Sequence, residues 1–348
     1  MKKKDQKIKL GSNRFVGKKF IPYFIAELNT SHFGNIDVAK KMIESAKQMG
    51  CDCIKLQSWT SNSINSDEYY KKNPITKKFF DRYSLNENAL KKLSLFCKKL
   101  NIDFSSTPYS TDEVDFLVDE CNASFIKIAS MDLNNLEFLE YIGKKNKAVI
   151  LSTGMGSLEE IREAVKTLKK TGNKNLAILH CVSIYPTPHK LANLNNIRGL
   201  IDEFPNIPIG FSDHTIGPEA AAAAIALGAS IIEKHFTLDK SKIGMDNQMS
   251  SEPNEIKQMI TYSKNVYLSL GKTKRIVSKE ELKQRLIMRR SLIAKKNLKK
   301  KQKIKKEDLI LKRPGTGIPV NNLKKIIGKK INKNLKAETI IKYKDISR

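Results

Sequence analysis

Cysteine is scarce in this 348-residue chain: there are five, at 51, 53, 97, 121 and 181, an odd number with no C-x-x-C pair. That pattern excludes a disulfide framework and a cysteine-rich zinc site, and it predicts reduced thiols in a cytoplasm. Long apolar runs are also missing. The longest, Ala220 to Ile232, is too short to span a bilayer and is broken by Gly228. Met1 to Phe15 is basic but lacks the apolar stretch of a secretory signal. No membrane partner is expected. No G-x-G-x-x-G follows the first apolar run, which argues against an open dinucleotide-binding sheet.

Acidic residues are outnumbered, 36 Asp and Glu against 64 Lys and Arg, for a formal net charge of +28. Most of this excess lies at one end: 272–348 hold 27 basic and 6 acidic residues, +21 of the total. Aromatics are nearly absent there, Tyr343 being the only one. A nucleic-acid surface mixes arginine and aromatic rings into its basic patch. A lysine-biased composition at solvated positions accounts for the charge, and no nucleic-acid partner is expected. A positive field still steers anionic substrates toward a cleft.

What is present is a rhythm. Short β-rich apolar runs alternate eight times with amphipathic stretches. The predicted strands are 23–27, 53–57, 103–106, 125–129, 148–152, 176–180, 208–211 and 230–235. Helical patterns cover 36–49, 87–100, 111–118, 157–169 and 218–227. Two carry capping-box signatures, Ser110 with Glu113 and Ser157 with Glu160. Eight βα units predict an α/β fold, a (β/α)8 TIM barrel over 1–271. After Gly271 the rhythm stops. A connecting helix is expected within 272–287, then a small β-rich domain over 288–348.

In such barrels chemistry gathers at the C-terminal strand ends. There the sequence places Glu27, Lys55, Gln57, Thr107, Lys127, Ser130, Asp132, Ser152, Ser183, Tyr185, Ser212, His214, Glu233 and His235. Two lysines on different strands can neutralise a phosphate and a carboxylate. The hydroxyls of Thr107, Ser130, Ser152 and Ser212 offer short donors, and Gly154 allows backbone amides close. His214 and His235 end the last two strands and can meet at one divalent ion, with Glu233 on the same strand face as His235. Manganese or a similar ion suits two imidazoles completed by oxygen ligands. Lys234, between two inward residues, is expected to face outward as a structural group.

The strand-end strings, taken in order, resemble the sialic acid synthase family over essentially the whole chain. They are I-A-E-L (25–28), I-K-L-Q (54–57), S-S-T-P (105–108), I-K-I-A-S (126–130), S-T-G-M (152–155), I-Y-P-T-P (184–188), F-S-D-H-T (211–215), E-K-H-F (233–236), G-M-D (244–246) and K-R-P-G-T-G (312–317). The last string falls in a region that looks like that family's antifreeze-like (β-clip, SAF) module.

The resemblance implies a transferase that condenses phosphoenolpyruvate with an N-acyl hexose and water, releasing phosphate and forming a nonulosonic acid. It implies that Lys55, Thr107, Lys127, Ser130, Ser152 and Ser212 hold phosphoenolpyruvate, and that His214 and His235 hold the metal, Mn2+, with Mg2+ or Co2+ as alternatives. Glu27, Asp132 and Glu233 would be catalytic, and Gln57, Ser183, Tyr185 and Asp246 would touch the sugar. Arg313 matches an arginine that reaches the partner's active site in a domain-swapped homodimer. The chain departs from the family's pattern at Ser31, where asparagine is usual, and around Lys301-Gln302-Lys303, where a glycine is usual. Ser183 resembles relatives that use diacylated dideoxy hexoses, whereas G-M-D-N and R-P-G-T-G resemble the sialic and legionaminic branches. N-acetylmannosamine and a 2,4-diacetamido-dideoxy hexose both stay open as acceptors. Two rivals use the same residues differently: a Schiff-base aldolase working through Lys55 or Lys127, and a polyanion binder working through the basic tail.

Overall fold

The computed structural model describes residues 7–11 and 14–347. The chain divides into two compact units, Met1–Leu270 and Gly271–Arg348. The expected linker helix is present as Lys279–Met288 and falls inside the second unit.

The first unit opens with two short antiparallel strands, β1 (Ile8–Leu10) and β2 (Arg14–Val16). Eight parallel strands follow and close into a barrel: β3 (Tyr23–Glu27), β4 (Cys53–Gln57), β5 (Asp103–Thr107), β6 (Ile126–Ile128), β7 (Val149–Ser152), β8 (Leu176–Cys181), β9 (Ile209–Asp213) and β10 (Ile231–His235). Their order round the barrel is β10-β3-β4-β5-β6-β7-β8-β9. β3 and β4 fall where predicted, and the ends of the other six shift by a residue or two, as expected where the last ladder bond frays.

Period two divides each strand between two environments. Phe24, Ala26, Ile54 and Leu56 belong to the core between sheet and helices. Tyr23, Ile25, Cys53, Phe125, Ile150, Ala177, Leu179 and Ile231 form a second core, which the hairpin residues Ile8, Leu10 and Val16 join. The hairpin therefore contributes apolar side chains to the interior cluster at the strands' early residues. Nothing in the sequence periodicity announced it, because two three-residue strands carry too little pattern. Further along the same faces the residues turn polar: Tyr23, Ile25, Glu27 on β3; Cys53, Lys55, Gln57 on β4; Ile231, Glu233, His235 on β10. Apolar stems thus fix the register, and the register sets the polar tips side by side, His235 against Glu27 and Glu27 against Lys55.

The helices Ile36–Met49 and Glu87–Leu100 form as expected. Ser157 caps Leu158–Lys170 with a complete capping box. The other predicted box is only half made. Ser110 accepts from the Glu113 amide, but the Glu113 carboxylate takes the Tyr109 amide at 2.7 Å instead of that of Ser110. The predicted helix 111–118 is an α-turn, Thr111–Asp115, that widens into a π-helical turn, Phe116–Glu120. Lys234 is buried, donating to Asp213 Oδ2 and the Thr215 carbonyl, each at 2.7 Å.

The second unit contains β11 (Ser291–Ala294) paired antiparallel with β12 (Leu309–Lys312). Ten apolar residues, from Leu292 to Ile346, make its core. Two Lys-x-x-Asp turns repeat within it. Asp308 and Asp345 are buried, and each accepts the amide of the lysine three residues earlier, Lys305 and Lys342. Lys301 takes a φ of +68°, the left-handed conformation that glycine adopts more readily.

Candidate active site

A cavity of about 390 Å³ opens at the C-terminal ends of the barrel strands. Every strand-end residue singled out from the sequence lines it except Asp132, which sits one residue past the lining Met131. Asp246 lines it as well. Arg313 belongs to the second unit, where it is exposed.

The floor is an ionic cluster. Lys55 forms an ion pair with Glu27 and lies 4.0 Å from Glu233. Lys127 lies 3.4 Å from the other Glu233 oxygen, and Ser212 donates to that oxygen at 3.0 Å. Lys55 also donates to Thr107 at 3.1 Å. All these groups are buried. Burial alone would raise the Glu233 pKa, but Lys127 and then Lys55 outweigh it and the carboxylate stays ionised. Burial pulls the Lys55 ammonium down to about 7 against the attraction of Glu233. Two lysines set against two glutamates form a cation pair that an incoming anion can recruit without first desolvating it from bulk water.

Around this floor stand short donors. Ser130 Oγ accepts the Gly154 amide at 3.0 Å and donates to Cys181 Sγ at 3.6 Å, a weak bond that an anion can displace. The Ser152 hydroxyl is buried without a hydrogen-bond partner in the protein. A buried hydroxyl left unsatisfied implies a ligand or water that completes it. Gly154 leaves room for two hydroxyls: a Cβ there would displace that of Ser183 and come within 2.7 Å of Ser130 Oγ.

His214 and His235 meet at the last two strands, their ring centroids 5.3 Å apart. His214 Nδ1 is 2.9 Å from the Val182 carbonyl, which orients the ring and leaves Nε2 as the acceptor. Burial would lower its pKa, but Cys181 and the Val182 carbonyl outweigh that and raise it. His235 is held well below the usual range by burial and then by His214. Its Nδ1 is buried without a partner. A neutral imidazole with an orphaned ring nitrogen, beside an oriented second imidazole, suits a divalent cation. Among the described residues no group of three or more His, Cys, Asp or Glu is arranged to hold a metal. The pair would therefore need water or substrate oxygens to complete a shell.

Several lining residues escaped the reading of the sequence. Asn29 bonds to Asp246, 217 positions away, and burial raises the Asp246 pKa. Trp59, Ile64, Phe80 and Tyr109 form one side of the cavity, and Cys181 lies beside His214. Trp59 and Tyr109 stand two residues beyond Gln57 and Thr107, so continuing the strands' alternation past their ends was the available signal. His32, just past β3, does not line the cavity. It is buried, its Nδ1 accepts the Gly34 amide at 3.1 Å, and burial lowers its pKa to about 4.

Residues 42–275 match the NeuB family, and residues 289–347 match the SAF domain. The chain is 39% identical to the N,N'-diacetyllegionaminic acid synthase of Campylobacter jejuni, over 91% of this chain and 98% of that one. It is 34% identical to the protein of the same name from Legionella pneumophila, over 97% and 99%. Among solved structures, the N-acetylneuraminic acid synthetase of Leptospira borgpetersenii superposes with a TM-score of 0.74 at 33% identity, over 80% of this chain and 95% of that one.

Proposed function

This chain belongs to the NeuB family, with a C-terminal SAF domain, and we propose that it condenses phosphoenolpyruvate with the aldehyde of an N-acyl hexose to form a nonulosonic acid. The single observation that carries this reading is the meeting of Lys55 and Lys127 on Glu233, below the paired imidazoles of His214 and His235. One end of such a site suits a trianionic enol phosphate and the other an electrophilic carbonyl. The relatives' names, and their cover of nearly the whole chain, support the same assignment.

Lys55 and Lys127 bind the phosphate and carboxylate of phosphoenolpyruvate, and the hydroxyls of Thr107, Ser130, Ser152 and Ser212 donate to its oxygens once Ser130 turns from Cys181 and Ser212 from Glu233. His214 and His235 would hold the divalent ion, manganese or else magnesium or cobalt, which when bound polarises the sugar aldehyde. C3 of the enol attacks the aldehyde carbon, and the carbonyl π pair becomes the new hydroxyl after one proton is taken up. Water adds to the cationic C2 and the C2–O bond to phosphate breaks; one water proton passes to the leaving phosphate as C2 becomes the ketone, and the other is given up. Glu233 is held ionised by the lysines and is suited to accept that proton. Glu27 and Asp132 are the other carboxyl groups assigned to proton handling; burial raises the Asp132 pKa, which suits a donor. Gln57, Ser183, Tyr185 and Asp246 surround the sugar. Arg313 of the partner subunit completes the site in a domain-swapped homodimer, and its exposure on the second unit supports that role. Among the described residues no helix is long and apolar enough to cross a membrane, and all five cysteines are free and buried, which supports the cytoplasm as the place of reaction.

A second reading has one observation in its favour. A buried lysine with a pKa of about 7, as at Lys55, suits a Schiff-base nucleophile. The deciding assay is phosphate release from phosphoenolpyruvate with manganese, run against N-acetylmannosamine and 2,4-diacetamido-dideoxy hexoses. Release that depends on both sugar and metal, and is abolished by a chelator, establishes the condensation. Chelator-insensitive turnover with borohydride trapping of Lys55 would replace it with the aldolase.

A further inference from the structure

The longest connection of the barrel runs from β4 to the helix Glu87–Leu100 and holds three short helices, Ser61–Ile64, Asp67–Lys72 and Pro74–Tyr83. It buries a separate aromatic cluster of Trp59, Tyr70 and Phe80, with Ile64 and Tyr109 packed against it. Trp59 and Phe80 meet edge to face, centroids 4.6 Å apart. A cluster of this kind has no structural need to face a polar cavity, yet Trp59, Ile64, Phe80 and Tyr109 all line it.

At its edge the Gln57 side chain is fixed from two directions. Trp59 Nε1 donates to Gln57 Oε1 at 2.7 Å, and the Tyr109 hydroxyl donates to the same oxygen at 3.3 Å. An indole N–H can only donate, so the atom facing it has to be the amide oxygen. Turning the amide over would set its NH2 against the indole N–H and break that bond, so Trp59 fixes the orientation and the Tyr109 hydroxyl supports it. Gln57 lines the cavity, so its Nε2 hydrogens are left as donors of fixed direction there.

The strand order sets this wall across the barrel from Tyr185 and His214, while His235 on β10 is two strands from β4. β4 is four strands from β8, and β5 is four strands from β9. Gln57 and Trp59 therefore face the side carrying Tyr185, and Tyr109 faces the side carrying His214. A hexose with its aldehyde at the imidazole pair extends its far carbons toward the aromatic wall. Among the described residues that line the cavity there, Gln57, Trp59, Ile64, Phe80 and Tyr109, none is a cation, so a phosphate group against them would lose hydration without a partner. A methyl group would gain burial, and an acyl oxygen would meet the Gln57 donor.

Resting on the condensation proposed above, we propose that Trp59 and Tyr109 are positioning residues that lock Gln57 as an amide donor. With Ile64 and Phe80 they select an acceptor bearing methyl groups at its far end, as a second N-acyl group or a deoxy carbon, over a hexose phosphate.

The test compares wild type, Trp59→Phe and Tyr109→Phe with three acceptors: a 2,4-diacetamido-trideoxy hexose, N-acetylmannosamine and N-acetylmannosamine 6-phosphate. Trp59→Phe keeps the ring and loses the N–H. It is expected to raise the KM for the diacetamido acceptor about tenfold while the phosphoenolpyruvate KM stays within about twofold. Tyr109→Phe, losing the longer bond, is expected to do less. Wild type is expected to prefer the diacetamido acceptor over the 6-phosphate by at least about tenfold in kcat/KM. A binding readout stands beside the kinetics. Trp59 is the only tryptophan of the chain, so the reduced, unreactive alditol of the preferred acceptor should change its emission saturably when phosphoenolpyruvate is present. The inference is overturned if Trp59→Phe raises both KM values alike, if the 6-phosphate is preferred, or if Trp59 emission is unmoved at alditol concentrations that inhibit turnover. Absence of phosphate release with every acceptor, and of any emission change, overturns the proposed reaction itself and this inference with it.

Discussion

Replacing Lys127 with methionine separates the cost of the ionic floor from its use. Lys127 is buried and 3.4 Å from a Glu233 oxygen, while Lys55 is 4.0 Å from the other. Removing one partner of a buried pair costs about 3–5 kcal/mol, because the remaining charge is stranded in a poor solvent. Glu233 would keep Lys55 and the 3.0 Å bond from Ser212, so the lower end, about 3 kcal/mol, is expected. For a domain of this size that corresponds to a melting midpoint lowered by roughly 6–12 °C. Glu233→Gln added to Lys127→Met removes the stranded charge and should restore at least about 1 kcal/mol. Activity should not follow stability. Lys127→Met lacks a cation for phosphoenolpyruvate, so its kcat/KM should fall by about 10- to 150-fold, and the double variant, which also loses the Glu233 base, should fall further although it is more stable. The assays are thermal unfolding followed by circular dichroism, and steady-state phosphate release. The reasoning is refuted if Lys127→Met melts within about 2 °C of wild type, or if the double variant melts no higher than the single one.

Two further outcomes follow from neighbouring residues. Lys55 is lowered to about 7 in the free protein, and a bound trianion would raise it, so phosphoenolpyruvate binding should take up protons. Uptake should approach one proton near pH 8 and vanish near pH 6, where Lys55 is already charged; calorimetry in buffers of different ionisation enthalpy measures it, and uptake unchanged between these values would refute the assignment. Gly154→Ala should raise the phosphoenolpyruvate KM about tenfold by displacing the Ser130 and Ser183 hydroxyls, with a smaller effect on the acceptor KM; an unchanged phosphoenolpyruvate KM would show that Ser130 does not contact it.

The barrel and most of its polar rim were legible because both are written locally. A strand alternates faces every residue, so an apolar stem such as Tyr23 and Ile25 commits Glu27 to the same inward face wherever the strand ends up. Eight such stems, spaced by helical patterns, leave a closed parallel barrel as the economical arrangement, and its polar ends then converge. Helix starts were legible for the same reason: Ser157 and Glu160 complete their box within one turn. Ser110 and Glu113 have the same spacing, yet Tyr109 supplies the amide that Glu113 takes, and no local pattern ranks those two donors.

Tertiary structure decided what depends on distance in the chain. Asn29 against Asp246, Trp59 and Tyr109 on one Gln57 oxygen, and Lys55 and Lys127 on one Glu233 are each made by strands or loops that only barrel closure brings together. Their protonation is likewise set there. Whether Lys55 falls to about 7 or Glu233 stays charged depends on burial and on partners from other strands, neither of which periodicity encodes. The sequence determined which strand-end residues face the cavity; the closed barrel determined which loop residues join them, which of them touch, and in what charge state.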